Sequence, residues 1–270
     1  MSTDNFVHPC FENSRCGARF HLPVAFKCDT KCNYCKREYS QCIDRPGVSD
    51  GILPLSGVEK YITEKAEQYP ECRIVGVAGP GDPFANPDEL FGTFDIVNEK
   101  FPDFRCCVCT NGFYLPLNRE RFLSSGINYI TITLNSVHPS TLEKLYDHLV
   151  INGKMYRGAE MGEMICRLQK EALDIIREKS GIKLKINIVA VPGVNTDEIE
   201  DIIEATKDYD VHIYNLIPML PVSGTKFGSI RQMTDEEMSA LRARVRERFP
   251  DIYIKENCNR CRADACGKIK

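Results

Sequence analysis

The strongest constraint on this chain is an alternation: a short apolar strand segment followed by helical sequence, six times over. The strand segments fall at residues 22–27, 73–78, 104–110, 129–135, 183–191 and 211–217. Helical periodicity occupies residues 55–69, 87–100, 118–125, 140–149, 160–180, 197–208 and 235–249. Strands alternating with helices of this length form right-handed βαβ units and a parallel sheet. Six such units predict an α/β fold, a partial (β/α)6 barrel, with its chemistry at the C-terminal ends of the strands. A length of 270 residues suits one such domain with short appendages. The expected layout is an N-terminal extension at 1–21, the barrel at 22–250 and a tail at 251–270, with cysteines in both extensions.

Period-two patterning separates an outer strand face from an inner one. Phe104, Cys106 and Val108 oppose Arg105, Cys107 and Cys109. Ile130, Ile132 and Leu134 oppose Thr131, Thr133 and Asn135; Leu184, Ile186 and Ile188 oppose Lys185, Asn187 and Val189. The apolar sets should pack beneath the helices, leaving the polar sets inside the barrel. An interior of Cys, Thr, Asn and Lys reads as a binding cavity, because unpaired polar groups are costly to bury. The alternative is a filled core in which these groups hydrogen-bond one another.

Basic and acidic side chains nearly balance, at 35 and 38, for a net charge of −3. That excludes the basic footprint of a nucleic-acid binder, and no basic tract suggests a membrane surface. No apolar run approaches the roughly 20 residues of a bilayer span. The first ten residues lack the pattern of a secretory signal, so a cytoplasmic location is expected. Fourteen cysteines are then anomalous. In reducing surroundings they read as metal ligands or catalytic groups rather than disulfides. Cys72, Cys106 and Cys166 stand singly in strand or helix contexts and read as small buried hydrophobes.

The segment Cys28-Asp-Thr-Lys-Cys32-Asn-Tyr34-Cys35 follows the first strand directly. Three thiolates on one loop can wrap one face of a [4Fe–4S] cubane and leave an iron open. A zinc site competes, with Cys42 available as a fourth ligand. The spacing, with an aromatic before the last cysteine, resembles the signature of the radical S-adenosylmethionine (SAM) superfamily. The resemblance implies that Cys28, Cys32 and Cys35 hold a cluster whose open iron binds SAM. An electron from the cluster would cleave SAM to methionine and a 5′-deoxyadenosyl radical. It also implies that the Gly-rich edge after the second strand, Gly79-Pro-Gly81-Asp82, meets the methionine part of SAM. Tyr34, Asn111, Asn135 and Asn187 are further candidate contacts. Each of the three asparagines has an ordinary reading too, as a cap or turn residue, and the Gly-rich edge as a tight turn.

More candidate ligands remain than one cluster needs: Cys10, His21, Cys42, Cys107, Cys258 and Cys261. His21 reads equally well as a satisfied core histidine. With His-Pro-Cys-Phe at 8–11, Arg-Pro-Gly-Val at 45–48, Asn-Gly-Lys-x-Tyr-Arg-Gly at 152–158 and Cys-x-x-Cys-Arg-Ala-Asp-Ala at 258–265, the chain resembles the NifB family of nitrogenase cofactor maturases. The last motif discriminates most, since radical SAM enzymes in general lack it. The resemblance implies a standalone form without the C-terminal carrier domain fused to many members. It implies that the six extra residues hold two accessory [4Fe–4S] clusters, K1 and K2, as substrate. Cys42 and Cys107 would serve the cluster nearer SAM, Cys258 and Cys261 the other. The implied reaction couples the two into an [8Fe–9S] cluster around a carbide from a SAM methyl group, with an added sulfur. An electron-donor protein and a cluster-receiving scaffold are the implied partners.

The match has departures. Only Ile43 and Asp44 stand between Cys42 and Arg45, where the family carries a glutamate. Cys16, Cys109 and Cys266 occupy positions that are not cysteine in the family and read as incidental. Two rival functions stay open at this point. A peptide-modifying radical SAM enzyme would cleave SAM in response to a peptide. A non-catalytic iron–sulfur scaffold would bind iron and produce no deoxyadenosine.

Overall fold

The computed structural model describes residues 8–12, 18–256, 258 and 260–268. Cys16 lies outside them. The first half runs β1 (Ala18–His21), β2 (Thr30–Cys32), β3 (Glu38–Tyr39), β4 (Val48–Ser49), α1 (Val58–Gln68), β5 (Ile74–Val77), α2 (Pro87–Lys100), β6 (Arg105–Thr110), α3 (Arg119–Ser124) and β7 (Ile127–Thr133). The second half runs α4 (Pro139–Leu145), β8 (Tyr146–Ile151), β9 (Lys154–Tyr156), α5 (Gly158–Glu178), β10 (Lys183–Ala190), α6 (Ile199–Thr206), β11 (Val211–Pro218), α7 (Asp235–Arg248) and β12 (Cys266–Lys268).

Seven strands form one open, curled sheet in the order β11-β10-β7-β6-β5-β1-β12. The pairs from β11 through to β1 are parallel, and only β12 runs antiparallel, against β1. This is the α/β partial barrel that the alternation predicts. Its outer face packs on the helices through one core cluster that includes Phe104, Cys106, Val108, Ile130, Ile132, Leu184, Ile186 and Ile188. These are the apolar strand sets, each 9% exposed or less. The last helix starts at a capping box: Thr234 Oγ1 accepts the Glu237 N–H, and Glu237 Oε2 accepts the Thr234 N–H.

Two elements differ from the sequence reading. The first strand is Ala18–His21, upstream of residues 22–27, whose backbone meets the sheet through the Leu22 N–H bond to Gly76 O and an Ala25–Pro80 bridge. Pro23 cannot donate to a ladder. The helix expected over 140–149 stops at Leu145, and Tyr146–Ile151 is a strand. It turns at Asn152 and Gly153, both at positive φ, into β9, and pairs antiparallel with β2. An Asn-Gly pair between apolar runs is a strong hairpin signal. The tail is also more than an appendage: β12 adds a strand to the barrel edge through Ala18–Lys268, Arg19–Gly267 and Phe20–Cys266. No helix among the described residues is long and apolar enough to cross a membrane.

Candidate active site

The cysteine loop is fastened at each step. Gly81 N–H donates to Ala25 O at 2.7 Å and Asp82 N–H to Lys27 O at 2.9 Å, so the Gly-rich edge runs beside the residues that lead into Cys28. A Cβ on Gly81 would stand 2.0 Å from Lys27 O, which only glycine avoids. Cys32 lies in β2 opposite Tyr146 of β8. Asn33 donates from its backbone N to Leu145 O and from Nδ2 to Lys144 O, at 2.8 and 2.7 Å. Cys35 N–H closes a turn onto Cys32 O at 3.1 Å.

All three thiols are half-buried and free. Burial pushes Cys28 up to about 12, and the Asp82 carboxylate adds to the shift. Burial raises Cys32 well above the usual thiol range, with Cys35 and Cys28 reinforcing it, and burial also raises Cys35. Left to themselves these groups keep their protons; binding iron must displace them. Three soft donors crowded on one partly desolvated loop fit a cubane with one open iron. Among the described residues no three His, Cys, Asp or Glu side chains converge on a single-ion site.

Inside the half-barrel lies a cavity of about 330 Å3. Tyr34 and Cys35 line it together with Cys10, Cys107, Cys109, Cys258 and Cys261. Thr131, Thr133, Lys185, Asn187 and Val189 complete the wall, so the polar strand faces do border a cavity. Cys109, which the sequence marks as incidental, stands in this wall two residues from Cys107 on the same face of β6. Burial pushes the Cys107 and Cys109 thiols up, the latter to about 11; Cys10 adds to the Cys107 shift and the Asp82 carboxylate to that of Cys109. Cys72 and Cys106 are buried in the outer core, as expected, and Cys266 is a half-buried residue of β12.

The other candidates are placed as follows. Cys42 is exposed on the loop after β3 and does not line the cavity, although Arg45, Pro46 and Gly47 of the same loop do. Arg262 holds that loop to the tail through the carbonyls of Ser40 and Ile43 and an ion pair to Asp50 at 2.6 Å. His21 lines the cavity with both ring nitrogens engaged: Nδ1 lies 3.1 Å from Arg262 O and Nε2 accepts Arg19 Nε at 3.0 Å. Burial, with the Arg19 charge second, lowers its pKa to about 3. A Cβ on Gly76 would meet the ring at 3.0 Å, so the glycine admits this histidine to the sheet edge.

Among the candidate SAM contacts, Tyr34 and Asn187 reach the cavity. Asn187 Oδ1 accepts Asn215 Nδ2 at 2.9 Å. Asp82 caps the turn at Pro83–Ala85 and accepts Phe84 N, Thr110 Oγ1 and Asn111 N at 2.8 to 3.0 Å. Asn111 Oδ1 accepts Phe113 N at 2.8 Å. Gly79 precedes Pro80, which bridges to Ala25. Asn135 is fully buried and bonded to Tyr34, Tyr146 and Val189. Asp82, Asn111 and Asn135 thus shape the strand ends with their side chains. Arg19, also in the cavity wall, is a feature the sequence reading missed; its alternation with Phe20 in β1 would have marked it had that strand been placed.

A curled parallel half-barrel with three thiols on the loop beyond its first strand defines a radical SAM protein. The family profile of the radical SAM superfamily matches residues 22–206, and membership implies a [4Fe–4S] cluster and SAM. Solved structures agree on the fold. SuiB of Streptococcus suis bound to S-adenosylmethionine superposes with a TM-score of 0.58 at 15% identity, over 88% of this chain and 51% of that one. HydG, a maturase of the [FeFe]-hydrogenase, gives 0.58 at 13%, over 88% and 52%. Sequence similarity is more specific. The FeMo cofactor biosynthesis protein NifB of Methanocaldococcus infernus is 37% identical over 98% of this chain and 86% of its own length. NifB of Klebsiella pneumoniae is 35% identical over 97% of this chain and 57% of its length, so the chain spans little more than half of that relative. Within the superfamily, the chain belongs to the NifB family.

Proposed function

We propose that this chain is a radical SAM enzyme of nitrogenase FeMo-cofactor biosynthesis. Its substrates are two [4Fe–4S] clusters, which it fuses with a carbide from a SAM methyl group and a further sulfur to give the [8Fe–9S–C] precursor. The observation that carries the reading is the single cavity that reaches from Cys35 to Cys10, Cys107, Cys258 and Cys261. A wall of thiols in the cavity that Cys35 borders suits an iron–sulfur substrate better than an organic one, because soft donors select iron–sulfur clusters.

When bound on Cys28, Cys32 and Cys35, the resident cluster supplies the electron for reductive SAM cleavage. The chain's own groups do the positioning. Asn135 and the β8 strand fix Tyr34 and Cys32, and Gly81 fixes the approach to Cys28. The buried strand faces exclude water from a radical reaction. Cys10 and Cys107, with Cys258 and Cys261, are the proposed holders of the two substrate clusters. Cys42 and His21 join them only if the exposed loop closes and the His21 bonds open. An electron donor and a receiving scaffold protein are the proposed partners.

The test supplies the anaerobic, cluster-loaded protein with reductant, sulfide and SAM carrying an isotopically labelled methyl carbon. The label should enter an extractable cluster that activates cofactor-free nitrogenase, with S-adenosylhomocysteine and 5′-deoxyadenosine as co-products. Label confined to methionine and methylated protein would overturn the proposal in favour of peptide modification.

A further inference from the structure

Two buried cations stand among the cavity's sulfurs. Arg19 is 3% exposed and Lys185 6%. Arg19 projects from β1 on the same strand face as His21; its Nε donates to that ring and its guanidinium contacts Cys261 Sγ. Lys185 projects from β10, donates to the Cys10 carbonyl at 3.3 Å and lies 5.2 Å from the centre of the Phe11 ring. Burial opposes the charge on both cations; the sulfurs of Cys10, Cys258, Cys109 and Cys107 favour it at Lys185, and those of Cys10, Cys261, Cys107 and Cys258 at Arg19, once they are deprotonated, as iron binding requires. No carboxylate among the described residues pairs with either cation.

Lys255 shows the contrast. It is equally buried, but its ammonium is tied to the carbonyls of Pro9 and Glu12 at 3.0 and 2.7 Å and fastens the loop that carries Cys10. Arg19 and Lys185 face the cavity instead. Burying a cation without a counter-charge is strongly unfavourable, and lysine and arginine are almost never so buried unless paired. A cavity that holds two of them is built for an anion. A cubane held by thiolates carries net negative charge, which is one of the levers on its potential.

We infer that Arg19 and Lys185 are the counter-ions that seat and retain the substrate clusters. Lys185 stands among Cys10, Cys107, Cys109 and Cys258, and Arg19 lies against Cys261, so both face the thiols that would hold the clusters. This rests on the proposal that clusters occupy the cavity. It adds Cys109 to the wall that seats them. These are positioning residues: they act on the clusters by charge and hold no iron themselves.

The experiment uses the Cys28→Ser, Cys32→Ser, Cys35→Ser variant as parent, so that all iron counted sits outside the triad. Into it are placed Lys185→Met, Arg19→Met and the conservative Lys185→Arg. Before iron loading, Lys185→Met should unfold at a higher temperature than the parent, because an uncompensated buried charge is gone. After loading, it should release iron to a chelator about tenfold faster, and its clusters should reduce at a lower potential. Arg19→Met should likewise release iron faster, and Lys185→Arg should restore retention. This reversal, firmer when empty and weaker when loaded, is not what a merely structural lysine produces. A parent that binds no iron would overturn the cluster reading and this inference with it. A parent that binds iron, with unchanged release and potential in both Met variants, would overturn this inference alone. With the triad left intact, weakened SAM binding by Lys185→Met or Arg19→Met, without faster iron release, would also overturn the inference and assign the cations to the SAM carboxylate.

Discussion

Asn135 Nδ2 donates a 2.7 Å hydrogen bond to the Tyr34 hydroxyl, and through it the cysteine loop is coupled to the end of β7. The same amide reaches Tyr146 Oη at 3.3 Å, and its Oδ1 accepts the Val189 N–H at 2.9 Å. One fully buried side chain thus joins the loop, the β8 strand and β10.

Asn135→Ala should therefore cost more than a surface asparagine. It leaves two tyrosine hydroxyls, that of buried Tyr146 and that of Tyr34 at the cavity wall, and one backbone N–H without this partner. Unsatisfied buried groups cost about 1–3 kcal/mol each, so a loss of about 3 kcal/mol is expected. Urea unfolding of the iron-free chain measures it. Deoxyadenosine formation by the loaded protein should fall as well, since Tyr34 and Cys35 lose their anchor to the sheet. A loss below about 1 kcal/mol would mean that water or a rearranged loop replaces the amide.

Replacing Cys28, Cys32 and Cys35 together by Ala should abolish reductive SAM cleavage and remove about four irons per chain. The remaining iron should persist, because Cys10, Cys107, Cys258 and Cys261 sit on separate segments. Iron analysis and chromatographic detection of 5′-deoxyadenosine check both parts. Full deoxyadenosine yield from the triple variant would remove the triad from the mechanism.

His21 gives the pH test. Its pKa in the folded chain is about 3, lowered by burial and then by Arg19. An unfolded histidine titrates near 6.5. Between those values the unfolded state binds the extra proton, so stability falls as pH falls from about 6.5 towards 3. Each pH unit in that window costs about 1.4 kcal/mol per such group. His21→Gln, which can still accept from Arg19, should flatten the slope by about one proton between pH 6 and 5. Urea midpoints of the iron-free chain across that range measure it; an unchanged slope would mean that His21 is charged in the folded protein.

The barrel interior was legible in the sequence because period two is hard to disguise: Cys107, Cys109, Thr131, Thr133, Lys185 and Asn187 line the cavity as the alternation predicts. The grouping of Cys28, Cys32 and Cys35 on one loop was visible because they lie within eight residues, and the structure keeps them on the segment that leads through β2 into the Cys32–Cys35 turn. What failed was set by distant partners. Ala18–His21 is too short and polar to read as a strand, and its pairing depends on β5 and on a β12 that is some 250 residues away. Arg19 was hidden by that error. The β8–β9 hairpin was hidden by the helical start at Pro139–Leu145, although Asn152-Gly153 announced the turn. Cys42 shows the opposite limit: its residue type suits a ligand, yet only the fold places it on an exposed loop.

The tail offers the cleanest separation of structure from chemistry. Its backbone is held by bonds that involve no cysteine side chain, beside the contact of Cys261 Sγ with Arg19. β12 pairs with β1, His21 N–H donates to Ala265 O at 2.9 Å, Ala263 N–H donates to Val48 O at 2.8 Å, and Asp264 accepts the Asp50 N–H at 2.6 Å. Arg262 adds its contacts to the loop at 40–43. The Cys-x-x-Cys-Arg-Ala-Asp motif therefore divides: Arg262 and Asp264 hold the tail in place, while Cys258 and Cys261 face the cavity. Cys258→Ala with Cys261→Ala should leave the melting temperature of the iron-free chain nearly unchanged and lower iron by about one cubane, roughly four irons. Arg262→Ala should do the reverse in order: the tail loosens first, seen as faster amide exchange at β12, and iron is lost as a consequence. Normal iron content in the double-cysteine variant would show that the tail is a brace for the barrel and not a cluster seat.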